Sequence, residues 1–458
     1  MKRLTIWHTN DIHSHLEKWP RIFTFLREKR LAMQGDLFFD IGDFIDRMHP
    51  YTEGSMGQGN VALLNALPYD AVTIGNNEGA ALGHAELAHL YDDAVFPVVC
   101  CNVYEDQAQT ELARFAKGHI YIQQEGVKIA IIGATACFTE YYESLGWGIE
   151  EPIQAIKREV SKVQADVTIL LSHLGLPLDE KIATEIPEID LILGGHTHHL
   201  LEHGKEVDGT LLAAAGRWGE YVGEVTLEFD EIAGRLVSKQ ARVHAVSDFP
   251  APVDEENQIK AFREQGEAEL SQKVVALPHQ LEHNWFKSSE ISELFHEAAC
   301  EWTGADTFLT NAGIYMTDLP TGIVTAYDIH QLLPHPLNFI VLSMTGIELG
   351  VLIQEIAEKE SELRDIPLRG FGFRGEVFGA ILTKRMTFDV ALNVALWDGA
   401  VIEPDKIYRI ATHDTFVYAP FFPIIKRVAV KEVYTPELLR DVMTWKLKEK
   451  YDEGGQMK

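Results

Sequence analysis

Seven side chains able to hold a cation recur at one kind of place in this sequence. Each follows a short apolar run, at the point where polar residues return. Asp11 and His13 lie in Trp7-His8-Thr9-Asn10-Asp11-Ile12-His13, and Asp43 follows residues 37–41. Asn76 follows residues 71–74, His173 follows 166–171, and His196 and His198 follow 189–193. Such apolar runs read as buried strands, and in open α/β sheets ligands bind beyond the carboxyl ends of strands. An Asp and a His two residues apart can turn an oxygen and a nitrogen toward one point, a donor set that a divalent metal accepts. Alone, Asp11-Ile12-His13 is equally a capping Asp beside a hydrogen-bonded His, and Asp43 alone is equally a helix N-cap. Gly194-Gly195-His196-Thr197-His198 is more specific, because two imidazoles in a glycine-hinged turn have no good core role. Seven donors are too many for one tetrahedral ion. Two ions about 3.5–4 Å apart would use them, activating a bridging water and clamping phosphoryl oxygens. Two divalent ions offset two carboxylates and a bridging hydroxide, so such a pocket stays near one unit positive and can receive a phosphate.

The elements that must position these groups alternate along the chain. Helical periodicity covers residues 16–33, 57–67 and 151–163, and further strands are expected at 95–100, 120–124, 127–133, 211–215 and 221–229. His84 opens a short helix and reads as a surface residue; His15 and His199 flank ligand candidates and read as supporting or solvent-facing groups. Residues 248–280 open Pro-rich and continue as a charged helix over about 257–274. The expected organisation is a metal-binding domain over 1–247, a helical linker over 248–281, and a second domain over 282–458. At 458 residues the chain is longer than one core normally serves. With 40 Lys and Arg against 69 Asp and Glu, its formal charge of -29 argues against nucleic-acid or anionic-membrane partners. No apolar run approaches membrane-spanning length. The strand that follows Met1 leaves no room for a leader. The four cysteines lack zinc-knuckle spacing and read as buried free thiols. A soluble cytoplasmic protein is the expectation.

Taken in order, Asp11-Ile12-His13, Gly42-Asp43, Gly75-Asn76-Asn77-Glu78, His173 and Gly195-His196-Thr197-His198 resemble the calcineurin-like metallophosphoesterase superfamily. The leading His8-Thr9-Asn10-Asp11-Ile12-His13 narrows the resemblance to the 5′-nucleotidase/UDP-sugar hydrolase family. Thr303-Gly304-Ala305-Asp306, Asn311-Ala312-Gly313, Leu319-Pro320-Thr321-Gly322, Met344-Thr345-Gly346-Ile347-Glu348-Leu349 and Tyr408-Arg409-Ile410-Ala411-Thr412 are similar to that family's C-terminal domain. The resemblance implies an α/β protein: an N-terminal four-layer αββα sandwich and a C-terminal α/β domain that binds nucleotide. It implies one ion held by Asp11, His13, Asp43 and His198, and a second held by Asp43, Asn76, His173 and His196. The metals would be manganese, zinc, iron or cobalt. The implied reaction is hydrolysis of a nucleotide phosphoester by attack of a metal-bridging hydroxide on phosphorus.

The chain also departs from the pattern. Asn77 stands where the family carries a His that contacts the reacting phosphate, and Ala80 replaces the Asp three residues later. An amide cannot shuttle a proton, and loss of a general acid costs about 10²–10⁴ in rate. The family's Arg after Asn311-Ala312-Gly313 is Met316, and its closing glycine-rich turn is Tyr418-Ala419-Pro420-Phe421-Phe422-Pro423. Asn311, Arg369 and Arg374 remain as phosphate-side candidates, and Phe371 and Phe373 as base-stacking candidates. A phosphodiesterase acting on cyclic nucleotides or nucleotide sugars is the alternative enzyme. A metal- and nucleotide-binding sensor with impaired catalysis is the alternative of another class.

Overall fold

The computed structural model describes residues 1–32, 35–67, 69–367, 370 and 372–452. Its contacts divide the chain into two compact units, Met1–Gly266 and Glu267–Lys458.

The first unit is built from two sheets. The first sheet has the order Arg235–Ala245, Tyr221–Asp230, Lys2–Thr9, Leu37–Asp40, Ala71–Val72, Val98–Val99, Ala116–Lys117. The second has the order Lys205–Val207, Thr210–Ala213, Leu191–Gly194, Val167–His173, Val127–Thr135, His119–Gln124. Successive side chains of a strand point to opposite faces, and the burial follows that period. Leu4, Ile6, Leu37 and Phe39 share one apolar cluster with Ile129, Ile131, Ile169, Leu171, Leu191 and Leu193. The two sheets therefore face each other across a common core. The alternate residues Trp7, Phe38 and Val72 pack outward against Trp19, Ile22 and Leu26 of helix Trp19–Ala32. Ile132, Leu170 and Ile192 pack outward against Ile153, Ile156 and Ile182 of helices Pro152–Val160 and Leu176–Glu185. Helix, sheet, sheet, helix is the four-layer sandwich expected from the resemblance.

Parallel pairing brings the strand ends level. Thr9 lies opposite Asp40, and Leu171 lies opposite Leu193. The polar turns after these strands thus leave their sheets on the same side. Two features were not legible in sequence. Strand Arg235–Ala245 has only half-buried and exposed positions, so it carries no apolar run that would announce it. The charged helix spans Glu255–Glu269, shorter than expected, and Lys273–Leu277 is a strand paired with Gly322–Thr325. Val274 and Val275, buried and β-branched, favour strand over continued helix there.

The second unit holds a four-stranded sheet of order Thr307–Phe308, Ile407–His413, Asn338–Thr345, Val430–Leu438, with helices Glu290–Thr303, Gly346–Leu363 and Leu439–Tyr451. Several motifs behind the family resemblance prove to be local structural devices. Thr345 and Glu348 form a capping box on helix Gly346–Leu363, as Thr325 and Asp328 do on helix Ala326–Leu332. Gly304 adopts φ 64° and ends helix Glu290–Thr303. Cys100 and Cys101 are buried free thiols as expected, whereas Cys137 is exposed and Cys300 half-buried. Among the described residues no helix is long and apolar enough to cross a membrane.

Candidate metal centre

Turns after the strands converge on one buried polar cluster. Asp11, His13 and His198 place ligand atoms within 4.8 Å of one another, and so do Asp11, Asp43 and His173. His198 Nε2 is 3.3 Å and His13 Nε2 3.7 Å from Asp11 Oδ1, while His173 Nε2 is 3.3 Å from Asp43 Oδ2 and 3.9 Å from Asp11 Oδ1. His13 Nε2 also lies 3.7 Å from Asp43 Oδ2. The family resemblance implies Asp43 as the shared ligand. In the structure both buried carboxylates lie between histidines, Asp11 beside His13, His173 and His198, and Asp43 beside His13 and His173. His196 is tied in by its backbone, whose N–H donates to both Asp11 oxygens at 3.1 Å, and its Nδ1 faces Asn76 Oδ1 at 2.7 Å.

The turns that deliver these groups are strained. Asp11, His13, Asp43, His196 and His198 all have φ between 50° and 71°, a left-handed region that non-glycine residues seldom adopt and that clusters at ligand-holding sites. The surroundings enforce it. Asn10 Nδ2 donates to Asp11 Oδ2 and to the Gly216 carbonyl, both at 2.8 Å. The buried Glu78 carboxylate accepts the backbone N–H groups of Gly75, Asp43 and Ile45 at 2.8–3.0 Å and so clamps the Asp43 turn. Gly75 is required because a Cβ there would lie 2.0 Å from Asp43 Oδ1. In sequence Glu78 and Asn10 stood inside the quoted motifs with no role of their own. A role for Glu78 was legible as the N3 carboxylate of helix Asn76–Ala81, which reaches back to the Gly75 N–H at 2.8 Å.

Two carboxylates buried side by side need positive charge. The His173 Nδ1–H donates to the Ile41 carbonyl at 2.7 Å, which fixes the ring's orientation and turns Nε2 toward Asp43. That Nε2 is fully buried and makes no properly angled hydrogen bond. His13 Nε2 and His198 Nε2 likewise converge, 3.1 Å apart. Lone pairs and carboxylates directed at one point repel unless a proton or a cation lies among them. Burial alone would lower the His173 pKa, but the Asp43 carboxylate and then Asp11 push it up to about 10. Asp43 is held well below the usual carboxylate range, its burial outweighed by His173 and His13. Burial, then the charge of His173, lowers His196 to about 4, so it is neutral at pH 7, the form a metal requires. Oxygen and imidazole donors fit a zinc- or manganese-type ion, and the backbone bond to His173 Nδ1 is the orienting contact that ligating histidines carry.

Asn77 is committed inward. Its Nδ2 lies 3.0 Å from His13 Nδ1 and 3.0 Å from the Ile45 carbonyl, its Oδ1 accepts from Asn76, and its backbone N–H donates to Asp43 Oδ1 at 2.7 Å. Asp46 Oδ2 adjoins the same His13 nitrogen at 3.6 Å. His84, expected at the surface, is half-buried and stacks on Trp147 with ring centroids 3.9 Å apart. His15 bonds Glu17 and His199 bonds Thr197, so neither is turned on the cluster.

The substrate candidates of the second unit fare differently. Phe373 is fully buried and stacks on His335 at 4.9 Å, which makes it a core residue and not a free stacking face. Asn311 is also fully buried, its Nδ2 donating to the Phe378 carbonyl at 2.6 Å. Arg374 is half-buried, with its guanidinium on the Phe373 carbonyl and its backbone N–H on His335 Nδ1. Arg369 and Phe371 lie outside the described residues. This unit also has an open groove of about 790 Å³ lined by Phe286, Glu360, Ser361, Arg364 and Asp365, which the sequence did not announce.

Comparison with known proteins agrees with this geometry. Residues 4–200 match the family described as calcineurin-like phosphoesterase, and residues 269–419 match the 5′-nucleotidase C-terminal domain. The chain is 39% identical to the metallophosphoesterase YunD of Bacillus subtilis over 97% of its own length and 99% of that protein's. It is 25% identical to the trifunctional nucleotide phosphoesterase YfkN of the same organism, over 90% of this chain and 31% of that longer protein. The crystal structure of a 5′-nucleotidase precursor from Thermus thermophilus superimposes with a TM-score of 0.60 at 20% identity, covering 98% of this chain and 96% of that one, which shows a shared fold. Calcineurin-like phosphoesterases use two divalent metals, and the Asp and His groups above could hold them. The chain therefore belongs to the calcineurin-like phosphoesterases that carry a 5′-nucleotidase C-terminal domain, a family of phosphoester hydrolases.

Proposed function

We propose that this protein is a dinuclear-metal phosphoesterase of nucleotides or related small phosphates, with Asp11, His13, Asp43, Asn76, His173, His196 and His198 as its ligands. The observation that carries the reading is the buried His173 Nε2, which makes no properly angled hydrogen bond and lies 3.3 Å from Asp43 and 3.9 Å from Asp11. When bound, a pair of divalent ions supplies Lewis acidity toward the phosphoryl group and a nucleophile from water at neutral pH. This chain's own groups do the rest. Glu78 and Asn10 hold the ligand turns, and the Ile41 carbonyl fixes the orientation of the His173 ring. Asn77, occupied by His13 and Ile45, offers no proton to a leaving group. Esters whose leaving group needs no proton should therefore react best, and aryl phosphates meet that condition better than nucleoside monophosphates.

The test is metal analysis of the purified protein and a hydrolysis panel on manganese-loaded protein. The panel is AMP, a UDP-sugar, a cyclic nucleotide, p-nitrophenyl phosphate and bis(p-nitrophenyl) phosphate, with Asp43→Asn as control. The expected result is two metal equivalents, loss of both metal and turnover in Asp43→Asn, and p-nitrophenyl phosphate outrunning AMP. AMP outrunning the aryl ester would sink the leaving-group reasoning. Tight nucleotide binding with no turnover on any substrate would make the protein a sensor.

A further inference from the structure

Arg217 is a cation without an anion. Its guanidinium lies 3.9 Å over the Trp218 ring, and among the described residues that guanidinium makes no hydrogen bond and no ion pair. The side chain is half-buried. In a chain with 69 acidic against 40 basic residues, this guanidinium has no carboxylate partner among the described residues. Its place in the chain is fixed from both sides. Gly216 N–H donates to the His199 carbonyl at 3.1 Å, and the Gly216 carbonyl accepts from Asn10, which also holds Asp11. Trp218 N–H donates to the Asp11 carbonyl at 2.6 Å. The residues flanking Arg217 are thus pinned to Asp11 and to the neighbour of His198. Trp218 itself is held at φ 59°, with the His15 ring 4.9 Å from its own. A guanidinium resting on an indole loses little freedom on binding and keeps its planar fork of N–H groups for a phosphate or carboxylate.

We infer that Arg217 binds substrate, gripping a second anionic group, phosphate or carboxylate, carried beside the phosphoryl group that reacts. The inference rests on the metal-centre reading given above. It assigns the enzyme to phosphate esters with two anionic centres, such as nucleoside diphosphates or phosphorylated acids, over simple monoesters.

Three small phosphonates separate the cases by calorimetric titration of manganese-loaded protein. Methylphosphonate has one anionic group, methylenediphosphonate has two phosphonates, and phosphonoacetate has a phosphonate and a carboxylate. Arg217→Ala should weaken the two-anion probes by about 10-fold or more, the worth of a charge-assisted hydrogen bond, and change methylphosphonate by less than about 2-fold. Arg217→Lys, which keeps the charge but not the fork, should fall between. A loss confined to methylenediphosphonate assigns a phosphate as the second group, and a loss confined to phosphonoacetate assigns a carboxylate. The inference is overturned if metal-replete Arg217→Ala binds both two-anion probes as tightly as the parent protein, or weakens all three probes equally. If the parent protein fails to bind methylphosphonate in a metal-dependent way, the metal-centre reading falls and this inference with it.

Discussion

If the proposed reading of Asn77 holds, placing a His at position 77 and an Asp at position 80 should supply a general acid. Helix Asn76–Ala81 carries both positions, and three residues apart they share one helical face, so Ala80→Asp can orient a ring at Asn77→His. A positioned general acid contributes about 10²–10⁴ in rate. The structure sets a cost against that gain. Asn77 Nδ2 serves both the Ile45 carbonyl and His13 Nδ1, and an imidazole directing one N–H the same way leaves one of them unpaired, at about 1–3 kcal/mol of stability. The double variant should therefore raise kcat/KM for AMP by about 10², the lower end of the general-acid range. For p-nitrophenyl phosphate, which needs little protonation, the gain should stay under about 10-fold. Asn77→His alone, with nothing to orient the ring, should gain less on AMP, and both variants should unfold at lower urea concentration. The assay is steady-state phosphate release with metal content measured on the same samples. An equal gain on the two substrates would refute the reasoning, as would no gain on AMP in a folded, metal-replete double variant.

Glu78→Gln should remove the clamp on the Asp43 turn, because an amide oxygen cannot accept the three N–H groups that two carboxylate oxygens share. The expected loss is about 2–3 kcal/mol of unfolding free energy, together with weaker manganese binding in titration; a variant as stable as the parent would show that the clamp is not needed. In the second unit, burial first and then the charges of Arg440 and Arg374 lower His335 to about 3, and its Nδ1 accepts the Arg374 N–H. The unfolded state then binds the proton that the folded state refuses, so stability is lost as pH falls from about 6.5 toward 3. By pH 5 the expected loss is about 2 kcal/mol from this residue. Urea unfolding at pH 7.5 and pH 5 checks it, and a His335→Gln variant with the same acid sensitivity would exclude His335 as the cause.

By itself the sequence located the candidate donors and implied the layered first unit. Each donor follows an apolar run short enough to be a strand, and strands with level ends deliver whatever follows them to one edge, as with Asp11 after Lys2–Thr9 and His173 at the end of Val167–His173. Tertiary structure decided how closely those donors meet and what surrounds them. That Asp11 lies between two histidine groups depends on strained turns held by Asn10 and Glu78, contacts that link distant parts of the chain. The fate of Phe373 and Asn311 was likewise invisible in one dimension, because an aromatic ring and an amide read the same whether they face a ligand or a core partner. Burial separates the two, and burial belongs to the assembled fold: His335 covers one of those residues and the Phe378 carbonyl engages the other.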